Sequence, residues 1–264
     1  MSKIGTILRK EWAEVFKHRM VLFTIAFMPL MLTAIPLIIL FSMRGELQTA
    51  SAGASDVPAQ FKAFCPVELT GGECLQVFMV SQFIFMFMLI PLSIPAAIAA
   101  YSVVGEKTTR SLEPLLATPI TTVELLLGKS LAAVVPAVLA TYLSFVLFAA
   151  GTWLMVSNRI MLLAILDARW LLAVTVVGPL LAWLSVTFSI MVSSRVNDPR
   201  VAEQLSVVII VPLLALFFGQ MAGLLIIDRE LVIVIALALV LIDALLTYFA
   251  VQLFQRETIL TRWK

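Results

Sequence analysis

The chain has 264 residues, 62% of them hydrophobic and 13% charged, and a net charge of +2. A soluble domain carries about 25% charged residues, so this composition excludes an ordinary water-soluble fold. The small net charge offers no electrostatic footprint for nucleic acid, and one histidine with two cysteines excludes a rich metal site.

Residues 1–19 read MSKIGTILRKEWAEVFKHR. Ile4, Leu8, Trp12, Val15 and Phe16 recur at helical spacing, while Lys3, Arg9, Lys10, Glu14 and Lys17 cover the other face. The pattern predicts an amphipathic helix in the membrane interface, with Trp12 at headgroup depth. The apolar run that starts at Met20 is too long for the core of a cleavable signal, so this helix is expected to be retained.

Beyond it the charges vanish in blocks. No Asp, Glu, Lys or Arg occurs in 20–43, 74–105, 130–158, 170–194 or 204–227, and 231–255 holds one, Asp243. Crossing a bilayer takes about 20 apolar residues in a helix, and backbone polar groups in lipid must pair internally. Six transmembrane helices are therefore predicted, at 20–43, 76–104, 130–156, 170–193, 205–227 and 231–254.

The links between them differ. Residues 44–75 form a long polar loop with a turn-like ASAGASD stretch, and Cys65 and Cys74 in it are candidates for a disulfide. Helix two carries Pro91 and Pro95, which predict a kink. Residues 157–169 hold the run IMLLAIL, too short to span and expected to rest at the outer surface. Asp198-Pro199 predicts a helix start, with Asp198 as N-cap and Pro199 as first helical residue. With both termini inside, the inner segments carry 13 of the 18 Lys and Arg, which favours that orientation.

The inner link 105–129 reads GEKTTRSLEPLLATPITTVELLLGK. The Gly128-Lys129-Ser130 triplet is not a phosphate-binding loop: the first glycine position of that motif is Val123, and no strand precedes it. Lys129 reads instead as a positive-inside anchor. Thr121-x-x-Glu124 is a capping box that starts helix three near Thr122. Upstream, Leu112, Leu115 and Leu116 share a face, with Ser111 as cap and Pro114 in the first turn, which predicts a short amphipathic helix parallel to the membrane.

This stretch resembles the signature segment of ABC-2 type transporter permeases. Glu106, Leu112, Glu113, Leu115, Leu116, Pro119, Glu124, Gly128 and Lys129 match that segment, while Arg110 stands where a glycine is usual. KEWAEVFKHR, SSRVNDPRVAEQLSVVIIVP and FQRETILTRW resemble other segments of the same family, in the same order. The resemblance implies an all-α membrane protein with six transmembrane helices, an N-terminal interfacial helix and a cytoplasmic coupling helix at 108–117. It implies that Glu106, Arg110, Leu112, Glu113, Leu115, Leu116 and Pro119 serve coupling to a separate ATPase, which supplies the ATP and magnesium, so this chain needs no cofactor of its own. It further implies an exporter in a bacterial plasma membrane, with a second permease chain, identical or related, and a substrate such as sodium, a drug or antibiotic, a peptide or a lipid.

Asp243 lies at the middle of helix six, where a carboxylate costs about 2.5–3.5 kcal/mol on insertion scales. It is a candidate for a substrate path, with Gln82 and Gln220 as weaker ones, or else a polar tie between helices. The alternative function is a stand-alone secondary transporter that uses Asp243 as its ion or proton site. Such a carrier calls for internal repeats and several interior ion-binding groups, and the sequence shows neither. A membrane hydrolase calls for clustered His, Glu or Asp at membrane depth, and the spans offer only Asp243.

Overall fold

The structure is a computed structural model. It describes residues 3–17, 19–46, 69, 71–108, 120–156, 158–222, 224–225 and 228–254. Among them are α1 (Lys3–Val15), α2 (Arg19–Glu46), α3 (Gly71–Ser81), α4 (Ile84–Thr108), α5 (Thr122–Met155), α6 (Arg159–Ile165) and α7 (Ala168–Leu172). A π turn (Ala173–Val177) leads into α8 (Gly178–Arg195), followed by α9 (Pro199–Ser206), a 3-10 turn (Val207–Ile210), α10 (Val211–Met221) and α11 (Arg229–Leu253). The described residues contain six helical stretches long and apolar enough to cross a membrane.

These spans are not equivalent. Through α3 and α4, 78% of the most apolar stretch is buried, against 17% for α2, for α9–α10 and for α11. The α4 helix is therefore the hub, and the others turn apolar faces such as Phe23, Phe27, Phe218, Leu237 and Leu241 outward, as a bilayer permits. α4 packs mainly on α8 and α5, and more lightly on α9 and α2. Both helices carry buried small residues: Ala96, Ala97, Ala99 and Ala100 on α4, and Ala182, Ser185, Ser189 and Ser193 on α8. Small residues let two helix backbones approach closely without a hydrophobic drive. The Ser185 hydroxyl donates to the Leu92 carbonyl across this contact.

Several elements differ from the expectation. Helix two is not one continuous helix: Pro91 and Pro95 lie inside α4, and an interruption falls earlier, at Gln82 and Phe83, whose N–H groups bond back three residues to Met79 and Val80. That pattern is the tightened last turn of a helix that ends, here α3. The stretch after Asn158 turns one face inward and leaves the other, with Leu163, exposed. Met161, Ile165 and Trp170 are buried, and α6 packs on α3. Trp170 lies 4.9 Å from the Phe148 ring and 5.2 Å from the Phe87 ring, which joins α7 to α5 and α4. The fourth span widens into the π turn before Pro179. Pro179 has no N–H for the Thr175 carbonyl, and the Tyr142 hydroxyl donates to that carbonyl instead, at 3.4 Å.

Helix starts follow local chemistry. The Thr121 side chain accepts from the Glu124 N–H at 3.2 Å, and Glu124 accepts from the Thr121 N–H at 2.8 Å, a complete capping box. Asp198 caps α9 with Pro199 as its first residue, and Asp228 caps α11 through the Leu231 N–H at 2.8 Å. Successive spans alternate in direction, so α1, the end of α4, the start of α5 and the ends of α8 and α11 share one end of the bundle.

Candidate functional site

At that shared end, α1 lies against the bundle. Its buried face is Ile7, Glu11 and Val15, spaced by four residues, and not the stripe through Phe16, which is 47% exposed. The face is offset by one residue because α1 meets protein as well as lipid, and the protein side accepts a charge when it is paired. Gly128 makes the approach possible. A Cβ built there would lie 2.8 Å from Cγ2 of Ile7, so α1 rests in the groove that a missing side chain leaves on α5.

One residue on, the Lys129 side chain is 4% exposed and that of Glu11 is 3% exposed. Lys129 Nζ donates to Glu11 Oε1 at 2.8 Å and to Ser102 Oγ at 2.8 Å. The Ser102 hydroxyl in turn donates to Glu11 Oε2 at 2.6 Å. The three groups thus form a closed triangle with one member on each of α1, α4 and α5. Burying two charges costs several kcal/mol, and this geometry offsets it with a short ion pair and charge-assisted hydrogen bonds. Lys129 is therefore not a surface anchor. Trp12, expected at headgroup depth, is half-buried against α5, where its Nε1 donates to the Ala132 carbonyl at 3.0 Å. An outer, solvated tie joins Lys3 to Glu124 at 3.4 Å.

Glu11 and Ser102 were not legible as site residues from periodicity alone. The available signal was a glutamate four residues from both Ile7 and Val15, together with a lysine embedded in LLLGKSLAAVV.

Of the predicted coupling residues, Glu106 is carried by the last turn of α4. Arg110, Leu112, Glu113, Leu115, Leu116 and Pro119 lie outside the described residues, as does Cys65. Cys74 is buried on α3 and is disulfide-bonded.

Asp243 is 6% exposed, on a face of α11 with Val232, Leu239 and Ala250. Among the described residues neither of its carboxylate oxygens has a hydrogen-bond partner. The polar tie between α8 and α11 is made one turn further on, where Trp183 Nε1 donates to the Thr247 hydroxyl at 3.0 Å. Gln82 and Gln220 sit elsewhere. They flank the Phe85–Phe217 contact between α4 and α10, at the end of the bundle opposite α1, and each has a buried, unpartnered Oε1. The three candidates do not form one site, and none lines the groove of about 750 Å³ walled by Phe188, Met191, Arg195, Leu205, Phe249 and Gln252.

Six spans among the described residues, a helix docked on their shared end and a capping box that opens the third span make up the architecture. The profile of the family described as ABC-2 family transporter protein matches residues 5–248, from within α1 to near the end of α11. The chain belongs to the ABC-2 transporter family. No curated protein matches it. As an ABC-2 permease it is a multi-pass membrane component of an ABC transporter and not itself the ATPase. The Gly128-Lys129 pair of the permease, and the Glu11 in its first helix, are then two halves of one packed contact.

Proposed function

We propose that this permease is the membrane-spanning subunit of an exporter in a bacterial plasma membrane, with both termini cytoplasmic. A separate ATPase binds ATP and magnesium and docks on the segment between α4 and α5, through Arg110, Leu112, Glu113, Leu115, Leu116 and Pro119. Two permease chains enclose the path. The observation that carries this reading is where that segment is rooted: its two flanking helices are joined to each other and to α1 by buried, hydrogen-bonded charge within two turns of it. A load applied there is delivered to packed helices and not to a loose loop. A docked ATPase that closes on ATP would thus drive a rigid-body shift of α4 and α5.

On the substrate side, Asp243 offers a carboxylate with no hydrogen-bond partner among the described residues, suited to a cation or to a substrate carrying a basic group.

The test is purification of the tagged permease from its native membranes in mild detergent. A stoichiometric ABC ATPase with vanadate-sensitive hydrolysis is the expected result, and repeated recovery of a folded permease alone would overturn the reading. Reversing both charges, Arg110→Glu with Glu113→Arg, should leave the permease folded and separate hydrolysis from transport. Normal transport by that double variant would remove the docking assignment.

A further inference from the structure

We infer that Glu11, Ser102 and Lys129 are positioning residues that make α1 and the adjoining ends of α4 and α5 one mechanical block. On this view α1 is a strut that carries displacement of the 109–119 segment into α2, and not an anchor resting on the membrane. The inference deepens the permease reading and rests on it for the identity of the driving partner.

The argument is one of geometry. Ser102 lies six residues before the end of α4 and Lys129 seven after the start of α5, so the triangle sits about 10 Å from the segment along either helix. Apolar contacts between helices tolerate sliding. A triangle of a carboxylate, a hydroxyl and an ammonium has one arrangement in which all three are satisfied, and any slip strands a buried charge. The contact is steric as well, since Ile7 fills the place of a Gly128 side chain. Trp12 adds a hydrogen bond to the α5 backbone one turn further along. α1 is therefore held at four points on two helices. It passes into α2 after only Phe16 to His18, too short a link to absorb a large displacement.

Hydrogen exchange on the permease in nanodiscs tests the block without any partner. Amides of α1 should exchange as slowly as those at the start of α5, and Glu11→Gln should accelerate α1 by about tenfold or more while leaving α8 unchanged. Fast exchange of α1 in the wild type, or no change in Glu11→Gln, overturns the inference. The second arm uses the complex with its ATPase and two spin-label pairs: Ala13→Cys with Leu139→Cys, and Ile38→Cys with Leu241→Cys. On vanadate trapping the first distance should stay fixed and the second should change. In Glu11→Gln the ATPase should stay bound while the second change is lost, and the exchange Glu11→Lys with Lys129→Glu should restore it. A residue of purely structural importance would lower the melting temperature yet leave that response intact in the surviving protein, which also overturns the inference. A wild type that carries no ATPase counts against the permease–ATPase reading, and the exchange experiment still decides the block.

Discussion

Two sets of buried ionisable groups divide this molecule. At one end Glu11 and Lys129 are hidden, yet paired with each other and with Ser102. Within the spans Asp243 is nearly as hidden, and both its oxygens lack a hydrogen-bond partner among the described residues. The contrast teaches that burial of charge has two meanings in a membrane protein. A satisfied pair fixes the relative position of the helices that carry it. An unsatisfied carboxylate lowers stability, and such a group is by default a functional candidate.

Stability measurements can break this comparison. The largest effect is expected from removing one member of the pair. Glu11→Ala or Lys129→Met leaves a buried, unpaired charge and should cost about 3–5 kcal/mol, seen as a large fall in the thermal melting temperature in detergent. Replacing both, Glu11→Leu with Lys129→Met, should recover most of that loss. If each single variant melts like the wild type, the pair is not buried as described.

Asp243→Asn should act with the opposite sign. No partner among the described residues is lost and an ionisable group is taken from a buried site, so the melting temperature should hold or rise, by an amount worth up to about 3 kcal/mol. Transport should fall if the carboxylate meets the substrate. A destabilised Asp243→Asn protein would mean that the carboxylate is a structural tie after all.

Gly128→Ala sharpens the packing side of the comparison. The added Cβ meets Ile7 at 2.8 Å and should cost about 1–3 kcal/mol, relieved by Ile7→Ala in the same chain. Gly105→Ala on α4 has nothing within 4 Å and should be neutral or stabilising, by up to about 1 kcal/mol of helix propensity. The smallest effect belongs to Lys3→Ala. It meets its partner Glu124 directly, at 3.4 Å in an exposed pair, and the loss should stay below about 1 kcal/mol and fade further in salt.

Much of the fold was legible in advance for a simple reason. Hydrocarbon excludes charge and requires paired backbone, so gaps in Asp, Glu, Lys and Arg mark out spanning helices whatever their neighbours are. Two helix starts were legible too, because the caps at Thr121 and Asp198 act within three residues, whereas the Asp228 cap of α11 came from the structure. The break at Gln82, the burial of Trp170 and the working face of α1 were not, since each depends on which helix lies alongside.

The sequence by itself thus determined the number of spans, their approximate ends and the family, all set by local composition and short motifs. Only the tertiary structure decided the fate of the charges. Lys129 reads as an anchor until Glu11, 118 positions away, is found at 2.8 Å, and Asp243 reads equally as a helix tie or a substrate-path group until its oxygens are found without a hydrogen-bond partner among the described residues. The physical reason is that hydropathy is a property of each residue and its near neighbours, whereas the satisfaction of a buried charge belongs to the packed assembly.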